Sequence, residues 1–185
     1  HEENEINWHI PNLAQDVEQA TVCLRPYHND HTRQIMVYMP NAPRLFAHLC
    51  RIFSHHGLDI IAARAFVTDH NYILDTFVVQ LPAHHHSTDF QHIEPSLLHE
   101  LRDFLHGIIP QDNQACGVRS RRARHLPIAP SITLTAEDDE GWYTLNIIAI
   151  NRPYLLANIA EVFNQHHISL RHAKINTLDE RVEDS

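Results

Sequence analysis

Glycine is scarce, with four in 185 residues. That excludes the glycine-rich loops that cradle nucleotide phosphates. Lysine is rarer still: Lys174 is the only one, and arginine supplies the remaining basic charge. The three cysteines, Cys23, Cys50 and Cys116, form an odd, unpatterned set. They make no disulfide framework and suit a reducing cytoplasm. No apolar run approaches the roughly 20 residues of a membrane-crossing helix. Near His1 there is no charged-then-apolar signal layout, and the start at His rather than Met reads as a piece of a longer or processed chain. Positive charge is in deficit, giving a formal net charge of −9. That argues against nucleic acid or an anionic membrane as partner. What is abundant is histidine, at 18 residues. With 43% hydrophobic and 20% charged residues, the chain reads as globular, one ordinary domain or two small ones.

Two related units fill that length. A shift of 110 positions lays residues 34–69 on 144–179. Asn41, Pro43, Leu45, Ala47, Phe53, His56, Ala63 and Asp69 then meet identical residues, and the apolar pattern between them also agrees. Each unit opens with two strand-like runs around a polar tip. These are Thr21–Tyr27 and Arg33–Met39 in the first, Ser131–Ala136 and Trp142–Ile150 in the second. An amphipathic helix follows, with Leu45, Phe46, Leu49, Ile52 and Phe53 on one face, repeated by Leu155, Leu156, Ile159, Val162 and Phe163. Extended runs Asp59–Thr68 and Ser169–Leu178 come next. The first unit continues with a strand over Tyr72–Leu81 and a second helix bearing Ile93, Leu97, Leu98, Leu101, Phe104 and Leu105. Pro95 fits that helix only in its first turn. Antiparallel hairpins with helices segregated to one face give a two-layer α+β fold. The expected division is a connecting helix in residues 1–20, with Asn12–Ala20 the helical candidate, a first unit over 21–106, a linker over 107–130 and a second unit over 131–185. Arg181–Ser185 resembles the start of Tyr72–Leu81, so the second unit is expected to be incomplete.

No catalytic constellation stands out. Cys50 lies mid-helix and reads as a small buried residue. The acidic stretch Glu137–Glu140 reads as a solvated hairpin tip rather than a magnesium site. His84, His85 and His86 with His92 read as a tolerant loop, because adjacent histidines rarely complete a tetrahedral site. No metal ligand set is assigned. His55-His56 and His166-His167 follow the first helix of each unit, where an imidazole suits the helix C-terminus. Arg119, Arg121, Arg122 and Arg124 read as a solvated basic linker. The helix entrances are more informative: Pro40-Asn41-Ala42-Pro43-Arg44-Leu45-Phe46 and Ile150-Asn151-Arg152-Pro153-Tyr154-Leu155-Leu156. Asn is a good N-cap and Pro suits the first turn. Helix capping alone accounts for both segments. The free N–H groups of a helix N-terminus could equally hold a carboxylate or amide of a small ligand, and both readings stand.

These entrances resemble the D-x-P-G-L-L/F segment of ACT domains, βαββαβ ferredoxin-like modules that sense small molecules, usually amino acids. The stretches "LDTFVVQ" and "AKINTLDERVED", the lead-in Glu5–Leu13 and the strand Cys23–Tyr27 resemble the tandem ACT region of the bacterial protein-PII uridylyltransferase/uridylyl-removing enzymes. That resemblance implies two ferredoxin-like ACT units, the second truncated, in a glutamine-sensing regulatory region of a cytoplasmic enzyme. It implies upstream catalytic domains as partners, with UMP transferred to and removed from PII. It also implies no cofactor in this region, magnesium for the parent enzyme, and pairing of units or of whole chains through ACT sheets. The implied effector residues are Asn41, Leu45 and Phe46 in the first unit and Asn151, Leu155 and Leu156 in the second. The family's Asp stands here as Asn41 and Asn151, and its Gly as Arg44 and Tyr154. Losing the carboxylate removes a partner for a ligand's ammonium group. A pair of degenerate units that holds domains together without a ligand is the alternative.

Overall fold

A computed structural model of the chain describes residues 20–82, 90–108, 129–137, 141–149, 154–169 and 172–176. The expected helix at Asn12–Ala20, His84–His86, the arginine cluster and Asn151 lie outside these residues, as does nearly all of the expected linker.

The elements run β1 (Thr21–Tyr27), β2 (Asn29–Pro40), α1 (Leu45–His55), β3 (Asp59–Phe66), β4 (Tyr72–Gln80), α2 (Phe90–Leu105), β5 (Ser131–Ala136), β6 (Tyr143–Ile148), α3 (Leu155–Gln165) and β7 (His172–Asn176). All strand pairs are antiparallel, in a five-stranded sheet of order β1-β2-β4-β3-β7 and a separate hairpin β5-β6. The fold is α+β, as the hairpin-and-helix pattern requires. Within the first unit β4 lies between β2 and β3, so β2-α1-β3 is a split βαβ motif, the building block of the ferredoxin-like fold. The strand beside β2 comes from the front of the unit instead of following α2. The order is therefore ββαββα around the same four-stranded sheet.

The β1–β2 hairpin is tighter than its polar residues suggest. Strand pairing reaches Tyr27 and Asn29, leaving His28 alone at the tip with φ 58°. Ile35, Val37 and Met39 of β2 and Ile73, Phe77 and Val79 of β4 share one sheet face, because side chains alternate along a strand. They meet Leu45, Leu49, Ile52 and Phe53 of α1 and Leu97, Leu101 and Phe104 of α2 in one core. Phe53 and Phe77 pack ring to ring at 4.9 Å with no exposure. Each such side chain stabilises by about 1.5–3 kcal/mol relative to being exposed.

Two expectations about the helices need correction. Pro95 is the sixth residue of α2, which begins at Phe90, so it sits in the second turn rather than the first. Packing of Leu97 and Leu101 on the sheet holds the helix across it. Asn41 is not the N-cap of α1: that position is Arg44, in the left-handed conformation with φ 64°, and no side chain caps the helix. α3 starts the same way at Tyr154, with φ 61°.

The two units meet about an approximate two-fold axis. β3 and β7 are counterparts under the 110-residue shift, and they pair with each other. The register centres on Arg64 opposite Lys174, itself a matched pair, with Ala62 opposite Asn176 and Phe66 opposite His172. Helices α1 and α3, also counterparts, pack side by side. Ala157 of α3 is buried in the core of the first unit. The hairpin β5-β6, by contrast, leaves Ile132, Leu134, Tyr143 and Ile148 exposed. The counterpart of β4 by the same shift begins at residue 182, outside the described residues.

Candidate functional site at the seam between the units

The N-cap residues of α1 and α3, Arg44 and Tyr154, lie at this seam. A bulky residue in the left-handed region costs about 1–2 kcal/mol, because its Cβ crowds the following carbonyl. Arg44 and Tyr154 both carry that cost, and both stand where the resemblance places glycine, the residue that adopts φ > 0 freely.

Side-chain contacts across the seam offset part of this strain. Arg44 donates from Nε (3.1 Å) and Nη2 (2.8 Å) to Oε2 of Glu161 on α3. Arg51 approaches the same oxygen at 3.7 Å. Glu161 is the counterpart of Arg51, so a position near the axis meets its own repeat with opposite charge. Tyr154 donates its backbone N–H to Oγ of Ser54 on α1, at 3.3 Å. One amide at the start of α3 is thus satisfied by the other unit, as a side-chain cap would do.

The expected effector residues divide. Leu45 is buried in the core, and Phe46 packs on Phe77 with ring centroids 5.5 Å apart. Both serve packing first. Asn41 binds the β3–β4 turn: its N–H donates to Asn71 O (2.9 Å) and its Nδ2 to Asn71 Oδ1 (3.0 Å). Leu156 packs against the first unit's core, and Leu155 is half-buried beside it. The structure therefore gathers Arg44, Leu155 and Leu156 at or near the seam, and turns Asn41 towards the first unit's own loop. Arg51, Ser54 and Glu161 were not singled out from sequence. The one available signal was the opposite charge at matched positions 51 and 161.

Among the described residues, no side-chain cluster at the seam is arranged for bond-making chemistry. Cys50 is fully buried, and burial together with the nearby Asp75 pushes its thiol far above the ordinary range. A thiol that cannot ionise is no nucleophile. Asp75 lies on the apolar face of β4, and burial pushes its carboxyl up to about 7, against a smaller opposing effect from a hydrogen bond with the backbone of Phe66. At the second hairpin, Glu137 accepts a short hydrogen bond from the Thr144 hydroxyl. No helix among the described residues is long and apolar enough to cross a membrane.

No family model and no solved structure matches the chain. Curated relatives do. The chain is 55% identical, over its whole length, to part of the bifunctional uridylyltransferase/uridylyl-removing enzyme of Neisseria gonorrhoeae (strain ATCC 700825 / FA 1090). It is 36% identical to the corresponding part of the enzyme so named from Chromobacterium violaceum, and 35% to that from Burkholderia lata. The chain spans 22%, 22% and 21% of these three relatives, about a fifth of their length, and the stretch it matches is their C-terminal part.

Proposed function

We propose, from that kinship, that the chain is the regulatory region of a bifunctional uridylyltransferase/uridylyl-removing enzyme, and that it senses glutamine. The observation that carries this reading is the two-fold seam. Both helix entrances abut the other unit, so an effector lodged there would touch both units at once. A ligand shifts an equilibrium only by its difference in affinity between two arrangements. A site shared by two bodies supplies such a difference when the bodies move. Coupled to upstream catalytic domains, the favoured arrangement would promote UMP removal from PII at high glutamine and UMP transfer to PII at low glutamine.

In this reading the region is catalytically silent and acts in the cytoplasm. Magnesium belongs to the parent enzyme's catalytic domains. Among the described residues the ligand-like cluster of side chains is His55, His56 and Glu100, a nitrogen-rich set that does not fit magnesium, which takes oxygen ligands. The contrary reading, a module that holds domains together without effector, is favoured by Arg44 and Tyr154. Their side chains stand where glycine would leave the backbone open to a ligand.

Calorimetric titration with glutamine, and with glutamate as control, separates the two. Saturable heat with glutamine alone is the expected result, weakened several-fold in Glu161→Gln, which loosens the seam that the effector would bridge. Absence of heat at millimolar glutamine, from a sample folded by circular dichroism, would leave the structural module as the function.

A further inference from the structure

The C-terminal end of α1 and the middle of α2 bring three metal-ligating side chains together. His56 Nε2 lies 2.7 Å from Glu100 Oε2, and His55 Nδ1 lies 3.3 Å from the same oxygen. All three ligating atoms fall within 4.8 Å of one another. We propose that His55, His56 and Glu100 bind a divalent transition-metal ion of the zinc class, with a fourth coordination position open to solvent.

Adjacent histidines usually diverge. Here they converge because they use different ring nitrogens, the near Nδ1 of His55 and the far Nε2 of His56, with rings inclined at 62°. The backbone fixes this arrangement. Leu58 N–H donates to Phe53 O (2.9 Å) and Gly57 N–H to Ser54 O (3.0 Å), the paired bonds of a Schellman stop. Gly57 supplies the left-handed residue at φ 68°. His56 is thereby held at the helix C-cap, its side chain only 12% exposed, against a Glu100 side chain that is 21% exposed. The His55 ring is 72% exposed and free to turn.

Plain helix capping explains the arrangement less well. His106, at the end of α2, does cap: its Nδ1 lies 2.7 Å from Arg102 O. His55 and His56 direct their rings to a carboxylate on another helix instead. Zinc bonds of roughly 2.0–2.2 Å to nitrogen and oxygen set neighbouring ligand atoms about 3.4 Å apart in a tetrahedron. The His55–Glu100 separation already has that value. Opening His56–Glu100 slightly and turning the exposed His55 ring inward complete the fit. Two imidazoles and one carboxylate suit zinc, nickel or copper ions over magnesium or calcium. The ion would clamp α1 to α2.

Cobalt(II) serves as the optical probe, titrated into the chelator-stripped chain at pH 7.5, with zinc as competitor. The expected result is one tight equivalent with intense visible bands of low-coordinate cobalt, displaced by zinc. Glu100→Gln, His55→Gln and His56→Ala should each weaken that equivalent by at least tenfold. The exposed His55→Gln keeps the test decisive if His56→Ala fails to fold. Other histidines set a background, so the difference between wild type and variants is the reading. An unchanged tight equivalent in all three variants, or no tight equivalent in the wild type, would overturn the assignment.

Discussion

Asp75 and Arg44 each hold a residue in a state that its type does not favour, and each yields a direct test. The Asp75 carboxyl is buried beside Phe77 and Val79 and pushed up to about 7 from an ordinary 3.8. Between those values the folded chain keeps a proton that the unfolded chain has lost. Stability from this residue is therefore full below about pH 4 and declines as pH rises towards 7. Urea midpoints of wild type and Asp75→Asn at pH 5, 6 and 7 should diverge, with the variant showing the shallower decline. Parallel lines would refute the buried, protonated acid. At Arg44 the backbone and the side chain make separate contributions. Arg44→Ala and Arg44→Gly both delete the ion pair to Glu161, but only glycine relieves the left-handed strain. Arg44→Gly should exceed Arg44→Ala in stability by about 1 kcal/mol, and equal denaturation midpoints would sink that account. Neither state was legible in the sequence. A left-handed arginine has no composition signature, and Asn41 before Pro43 reads as a cap on local chemistry alone. It bonds instead to Asn71, thirty positions away, and only the folded chain reveals that.

At the scale of elements, periodicity served well. The runs at Thr21–Tyr27 and Ser131–Ala136 are the observed strands β1 and β5, and the apolar face of α1 was visible from its spacing. The face expected for α3 needs correction: its buried residues are Ala157 and Ala160, and Val162 is exposed, because the helix packs its small residues against the first unit. Failures fell where tertiary packing overrides a local rule. Pro95 is the clear case. It removes one helical hydrogen bond and crowds the carbonyl four residues earlier, yet α2 continues because Leu97, Leu101 and Phe104 are buried on the sheet. Pro95→Ala should stabilise the chain by at least about 1 kcal/mol. Thermal melts suffice to check it, and a lower melting temperature would show that the ring makes contacts worth more than the bond it costs. The topology was half legible. The order of strands and helices and the β1–β2 hairpin could be read, but not that β7 joins the sheet at β3, since that pairing links residues far apart in sequence.

For the whole molecule the decisive feature is the joining of β3 to β7 and of α1 to α3. The repeat predicted two units, and one strand of the second half, β7, extends the sheet of the first while β5-β6 forms a hairpin of its own. Glu161 faces two guanidinium groups across that junction, those of Arg44 and Arg51, and its side chain is 19% exposed. Partly exposed pairs contribute roughly 0.2–1 kcal/mol each. Glu161→Gln should therefore cost about 1 kcal/mol, more than Arg51→Ala, and the double variant should fall short of the sum of the two. Strict additivity in guanidinium chloride-free urea melts would show that the charges do not interact.

The unlike charges at positions 51 and 161 carry a further consequence for how the chain avoids its own copies. About a true two-fold axis, a residue near the axis meets itself. Two first units from separate molecules, paired in this manner, would set Arg51 against Arg51. Two second units would oppose Glu161 to Glu161. Only the unlike pair, one of each, brings arginine to glutamate. The two matched surfaces are thereby distinct halves of one junction rather than a self-complementary face. Fusion in one chain keeps the right halves close, and like-charge repulsion disfavours the wrong ones.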